Sequence, residues 1–156
     1  MSEIGGTSLP KKVADLERLI DRWARENPED LETPRTGTPS TSGRLRRLIG
    51  VIAVAGALDG LRDEGGKERF VIKGGSAMEI RFGFQARLSK DLDAAFRGEL
   101  MECFALIAGA LETGWSGFTG IIGEPEEITR VNVIPHPRRV DVKLSYQGKR
   151  FVTIRR

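Results

Sequence analysis

The stretch that most constrains the fold is residues 70–96, FVIKGGSAMEIRFGFQARLSKDLDAAF. Its apolar, β-branched start predicts a strand over 70–73, broken at once by Gly74, Gly75 and Ser76. A short amphipathic helix and a basic loop follow, then a second strand carrying Asp91 and Asp93 on either side of Leu92. Strand alternation puts the two acids on one side and Leu92 on the other. Carboxylates that close repel each other, and such a pair persists most readily where a divalent cation, usually Mg2+, bridges the oxygens. The single intervening helix brings the second strand back beside the first, so the acids face the glycine turn.

That turn has a chemistry of its own. Glycine lets the backbone come close to a ligand, a helix N-terminus offers unpaired N–H groups, and the Ser76 hydroxyl adds a donor, which together suit a phosphate. Taken alone, Gly-Gly-Ser is also an ordinary turn and Asp-x-Asp an ordinary solvated strand face. Their joint occurrence, with fourteen residues between Ser76 and Asp91, points to phosphoryl or nucleotidyl transfer with cations clamping a triphosphate. A P-loop is excluded: Gly65-Gly66-Lys67 resembles its end, but Leu61 stands where the first glycine belongs and Glu68 where Ser or Thr belongs.

Composition narrows the setting. The 156 residues fit one domain preceded by a helical arm, and 39% hydrophobic with 30% charged residues is ordinary for a soluble globular protein. No apolar run approaches the roughly 18–20 residues of a spanning helix, and the first thirty residues hold acids where a signal peptide is apolar, so a cytoplasmic protein without membrane contact is expected. Cys103 is the only cysteine, which excludes an intrachain disulfide and a cysteine-based zinc site, and its place in a helical pattern makes it a core residue. Net charge is +3 with a pI near 9.3, and the basic clusters around Arg44, Arg81, Arg138 and Lys149 read either as solvated surface or as contacts to a polyanion.

The rest of the chain supplies an α/β frame. Helices are predicted over 9–26 (Val13, Leu16, Leu19, Ile20 and Trp23, with Ser8 as cap), 44–62 (Leu45, Leu48, Ile49, Ile52, Ala55, Leu61) and 99–112 (Leu100, Phe104, Ile107, Ala108, Leu111). A segment rich in Thr, Pro, Gly and Ser reaches Ser42 and reads as a linker, which divides the chain into an arm over 1–42 and a core over 43–156. Strands are predicted over 118–122, 130–134, 140–146 and 150–154, with Gln147-Gly148 as the turn between the last two. In VDVKLSY one face carries Val140, Val142, Leu144 and Tyr146, and the other Asp141, Lys143 and Ser145.

With these residues in hand, KGGSAMEIRFGFQARLSKDLDAAF resembles the signature of the AbiEii/AbiGii nucleotidyltransferase toxins, members of the DNA polymerase beta-like superfamily, in which GGS or GGT precedes R-x-S-x-D-x-D. The resemblance implies a nucleotidyltransferase-like mixed β-sheet flanked by helices. It assigns Gly75 and Ser76 to the phosphate turn, Arg87 and Ser89 to the basic loop that binds nucleotide, and Asp91 and Asp93 to metal binding and catalysis, while Lys90 beside them is a further candidate to offset triphosphate charge. It implies two Mg2+ ions, a nucleoside triphosphate as substrate, tRNA or a protein hydroxyl as acceptor, and a cognate antitoxin. The superfamily needs a third carboxylate, for which Asp141 in RRVDVKL is the candidate within the chain and a residue at or beyond Arg156 the alternative. Toxins of this family continue into a helical C-terminal half, so the chain is expected to lack part of the enzyme. The competing reading is a catalytically silent, truncated protein of the same fold that binds nucleotide, RNA or a protein partner.

Several single residues carry a plainer reading. Lys73 stands where it could reach a phosphate and Arg81 where it could contact nucleotide, but the first reads more simply as a strand-edge lysine in solvent and the second as a surface residue. His136, between two prolines and with no second histidine, makes neither a metal site nor a dyad. Trp23 and Trp115 are core or interface residues rather than base-stacking platforms.

Overall fold

Helix α2, Thr41–Asp59, is the wall against which the other elements lean. Positions 48–58 are almost all apolar (LIGVIAVAGAL), so the helix buries more than one face, and Leu48, Val51, Ala53, Val54 and Leu58 all enter the core. A one-sided stripe of 48, 49, 52 and 55 was the sequence expectation; the structure instead turns Val51 and Val54 inward, with Val51 fully buried. The helix starts and stops three residues earlier than expected. At Gly60 the chain closes a tight turn, Leu61 N–H donating to the Leu58 carbonyl, and a loop follows between the bridged residues Arg62 and Glu68.

The computed structural model describes residues 9–26, 41–73, 77–78, 80–81, 93–98, 100–127 and 138–155. Around α2 the order is α1 (Val13–Glu26), β1 (Phe70–Lys73), β2 (Asp93–Phe96), α3 (Leu100–Thr113), β3 (Phe118–Ile122), β4 (Glu126–Glu127), β5 (Arg138–Arg139), β6 (Asp141–Tyr146) and β7 (Lys149–Arg155). Ala77, Met78, Ile80 and Arg81 are helical, with Arg81 exposed. The α/β class is as expected, with a helix ahead of the sheets. Every pairing among the described residues is antiparallel: β1 with β2, β4 with β5, and β6 between β3 and β7. The strand expected over 130–134, the cap at Ser8, most of the linker and His136 lie outside the described residues. No described helix is long and apolar enough to cross a membrane.

The three-stranded sheet holds the core. Val142, Leu144 and Tyr146 are buried as alternation predicts, and Phe118 stacks against Tyr146 and Phe151 with centroids 4.8 and 5.5 Å apart. Helix α3 covers this face with Cys103, Ile107 and Leu111 at helical spacing, so the lone cysteine is a core residue. Ala108 of the expected stripe is exposed. The helix ends at Gly114, whose φ of +83° closes the last turn and where a Cβ would collide with the Phe118 carbonyl oxygen. Gln147 and Gly148, both at positive φ, form the turn between β6 and β7 as read from sequence.

Helix α1 packs on α2 and β7 through Val13, Leu16 and Ile20, the last 2% exposed. Leu19, one position off this stripe, stays exposed. The buried Tyr146 hydroxyl donates to the Pro10 carbonyl, and Glu17 meets Arg46 of α2 at 3.6 Å.

Candidate functional site

The pairing of β1 with β2 fixes what the chain can bring together. Phe70 pairs with Phe96, Val71 with Ala95, Ile72 with Ala94 and Lys73 with Asp93. Phe70, Ile72, Ala94 and Phe96 turn inward, the two rings 4.8 Å apart, while Val71 and Lys73 face outward. This inside-outside split is what pins the register, because a slip by one residue would expose both phenylalanines. The Phe70 end of the ribbon is anchored. Arg97 N–H donates to the Arg69 carbonyl, Arg69 Nη1 lies 3.5 Å from Glu102 Oε1 of α3, and Arg69 Nε donates to the Arg62 carbonyl.

The other end is where β1 runs out into Gly74 and β2 begins at Asp93. Because the strands are antiparallel and Lys73 pairs with Asp93, the chain leaves towards the glycine turn and returns from the acidic pair at one end of one ribbon. The sequence expectation that the second strand returns beside the first is met in the register itself.

Of the residues singled out from sequence, Asp93 opens β2, while Gly75, Ser76, Arg87, Ser89, Lys90 and Asp91 lie outside the described residues. Asp91 and Asp93 carry hard oxygen donors of the kind Mg2+ takes, and Asp93 opens the strand that pairs with β1. Among the described residues no group of three or more His, Cys, Asp and Glu side chains gathers into a metal-binding cluster.

Asp141 sits elsewhere in the topology. It opens β6 opposite Arg155, is half-buried on the face away from Val142 and Leu144, and accepts Gly123 N–H at its carbonyl. Among the described residues no strand pairing joins its sheet to the β1–β2 ribbon; α2 is the element that touches both. Lys73 is the residue whose position the sequence could not weigh. It is indeed exposed, but its placement opposite Asp93 depends on register, which no local pattern of FVIK announces.

The remaining candidates take their plain roles. Gly65 to Lys67 form a turn in which Asp63 Oδ1 accepts Lys67 N–H and the Asp63 carbonyl accepts Gly66 N–H, not a phosphate cradle of the P-loop kind. Trp115, expected in the core or at an interface, is instead 40% exposed, its ring lying over Gly56 of α2, where a Cβ would come within 2.6 Å of it. Arg138 and Arg139 stand opposite Glu127 and Glu126 in the short β4–β5 ladder.

No curated protein matches the chain. Residues 56–155, well over half of it, match the family model described as nucleotidyl transferase AbiEii toxin, type IV TA system.

Proposed function

From the premise that this chain belongs to the AbiEii nucleotidyltransferase toxin family of type IV toxin–antitoxin systems, we propose that it moves a nucleoside monophosphate from a nucleoside triphosphate to an acceptor hydroxyl, on tRNA or on a protein. The observation that supports this most is the register of β1 with β2, in which the strand leading to the Gly-Gly-Ser turn ends beside the strand that follows the acidic pair.

In this reading Gly75 lets the backbone approach the triphosphate, and the Ser76 hydroxyl donates to a phosphate oxygen. Asp91 and Asp93 would hold two Mg2+ ions, and Arg87, Ser89 and Lys90 bind the nucleotide and offset its charge. When bound, Mg2+ supplies neutralisation of the developing phosphoryl charge and acidifies the acceptor hydroxyl. The acceptor oxygen forms a bond to the α-phosphorus, the bond from that phosphorus to the bridging oxygen breaks, pyrophosphate leaves and the hydroxyl proton passes to solvent. Holding both reactants in line converts a bimolecular encounter into one within a complex, a large part of the gain available to such a site. The third carboxylate of this scheme is either Asp141, which stands on a sheet that no described pairing joins to the β1–β2 ribbon, or a residue at or beyond Arg156. An antitoxin is the genetic partner that the family implies.

The test is direct. The protein is incubated with each labelled triphosphate, Mg2+ and total tRNA, beside Asp91→Ala and Asp93→Ala. Label transfer by the wild type and a loss of about a hundredfold or more in either variant is the expected result; equal transfer by all three proteins sinks the assignment.

A further inference from the structure

The sheet formed by β3, β6 and β7 has one buried face and one open face. The helices pack on the buried one: a Cβ at Gly120 would meet Leu111 of α3, and a Cβ at Gly50 of α2 would meet Val152 and Ile154. On the open face the register lays out two rows across the three strands. Thr119, Ser145 and Arg150 make one row, and Ile121, Lys143 and Thr153 the next. Thr119, Ile121, Lys143 and Arg150 are exposed, Ile121 by 74%, while Ser145 and Thr153 are half-buried. Asp141 opens β6 on the same face, two residues before Lys143.

The make-up of this face decides which kind of partner it fits. The centre of a protein-docking surface is apolar and aromatic, with charged residues depleted. Here the large apolar side chain of the two rows is Ile121, set among hydroxyls and cations. Lys143 and Arg150 outweigh Asp141, so the face favours a polyanion, in a chain that is itself basic with a net charge of +3. The two cations are neighbours on a diagonal of the sheet, on the order of 8 Å apart, and their long side chains can each take a phosphate of one strand. Thr119, Ser145 and Thr153 carry hydroxyls, which both donate and accept and so suit the 2′-hydroxyls and phosphates of RNA. Ile121 gives an unstacked base an apolar surface to lie on.

We propose that the open face of the β3–β6–β7 sheet binds a single-stranded segment of RNA, with Lys143 and Arg150 on its phosphates. The assignment rests on the nucleotidyl-transfer reading above and selects RNA over protein as the acceptor. A strand laid across this face passes beside Asp141, a candidate for the third carboxylate.

The experiment follows binding of a labelled single-stranded RNA by fluorescence anisotropy over a range of salt concentrations, with unlabelled total tRNA as competitor. It compares wild type, Lys143→Ala with Arg150→Ala, and a control of equal net charge, Arg22→Ala with Lys67→Ala, whose residues are exposed on α1 and in the loop before β1. All three proteins melt alike, because each substituted side chain is exposed. The double variant on the sheet weakens RNA binding about tenfold or more and lowers the salt slope by about one, as loss of phosphate contacts does, and the control binds like wild type. Equal weakening in the two double variants, or unchanged affinity in the one on the sheet, overturns the assignment of this face. Isothermal titration of wild type with ATP, GTP, CTP and UTP and Mg2+ separates the two readings. Triphosphate binding without RNA binding overturns the RNA face and leaves nucleotidyl transfer to a protein standing, whereas binding of neither overturns both.

Discussion

Replacing glycine by alanine at two helical positions gives opposite outcomes, and the structure says which and by how much. In a helix interior the exchange favours the folded state by roughly 0.5–1 kcal/mol through backbone entropy alone. Gly109 of α3 is exposed, and a Cβ there meets nothing within 4 Å, so Gly109→Ala gains that amount. Gly50 of α2 lies against β7. A Cβ at Gly50 meets Val152 Cγ1 at 2.7 Å, Ile154 Cδ1 at 2.9 Å and Leu144 Cδ1 at 3.3 Å. Ile154 and Leu144 are each 1% exposed, so neither can swing aside, and overpacking of this kind costs about 1–3 kcal/mol. The net for Gly50→Ala is a loss of about 1 kcal/mol. In a chain of this size each kcal/mol moves the melting temperature by about 2–4 °C, so Gly109→Ala raises Tm by a few degrees and Gly50→Ala lowers it by as much. Urea unfolding followed by circular dichroism reads both. Adding Val152→Ala to Gly50→Ala recovers part of the loss, a coupling of about 1 kcal/mol in a double-mutant cycle. The reasoning about close packing of α2 on β7 is refuted if Gly50→Ala stabilises as Gly109→Ala does.

Two further outcomes follow from the same geometry. Tyr146→Phe removes the hydroxyl that donates to the Pro10 carbonyl. It costs about 1 kcal/mol in urea unfolding and speeds limited proteolysis ahead of α1; an unaltered cleavage rate with unaltered stability counts against the tether. Gly148→Ala meets no atom within 4 Å but must hold a φ of +82°, so it costs about 1–2 kcal/mol through the backbone alone. An unchanged urea midpoint in that variant refutes the left-handed turn.

The tail of the chain was the most legible part. In VDVKLSY the strict alternation of Val142, Leu144 and Tyr146 against Lys143 and Ser145 is dictated by a sheet with one buried face, and the burial follows it residue by residue. Strand β3 and the Gln147-Gly148 turn are equally local signals. Helix α2 was legible as a helix but not as to its faces, because VIAVAGAL is apolar all round and periodicity has nothing to contrast. The end of that helix was set by a hydrogen-bonded turn at Gly60 and the loop beyond it, while apolar Leu61 had suggested continuation. At the candidate site the residue types were readable from the glycine turn and the acidic pair. The partner of Lys73 was not, since register is decided by how Phe70 and Phe96 reach the same core across the nineteen residues that separate Lys73 from Asp93.

Family likeness begins at residue 56, in the last turn of a helix that runs from Thr41 to Asp59. Leu48, Val51, Ala53 and Val54, all in the core, come before that point, and only Leu58 among the buried side chains of α2 comes after it. Each large apolar side chain withdrawn from a core forfeits about 1.5–3 kcal/mol, against a total stability of about 5–15 kcal/mol for a typical domain. A polypeptide started at residue 56 would therefore keep every matched residue and forfeit much of the stability that folds them. Likeness and cooperativity draw their borders at different places in this molecule: what matches the family is shorter than what must melt together.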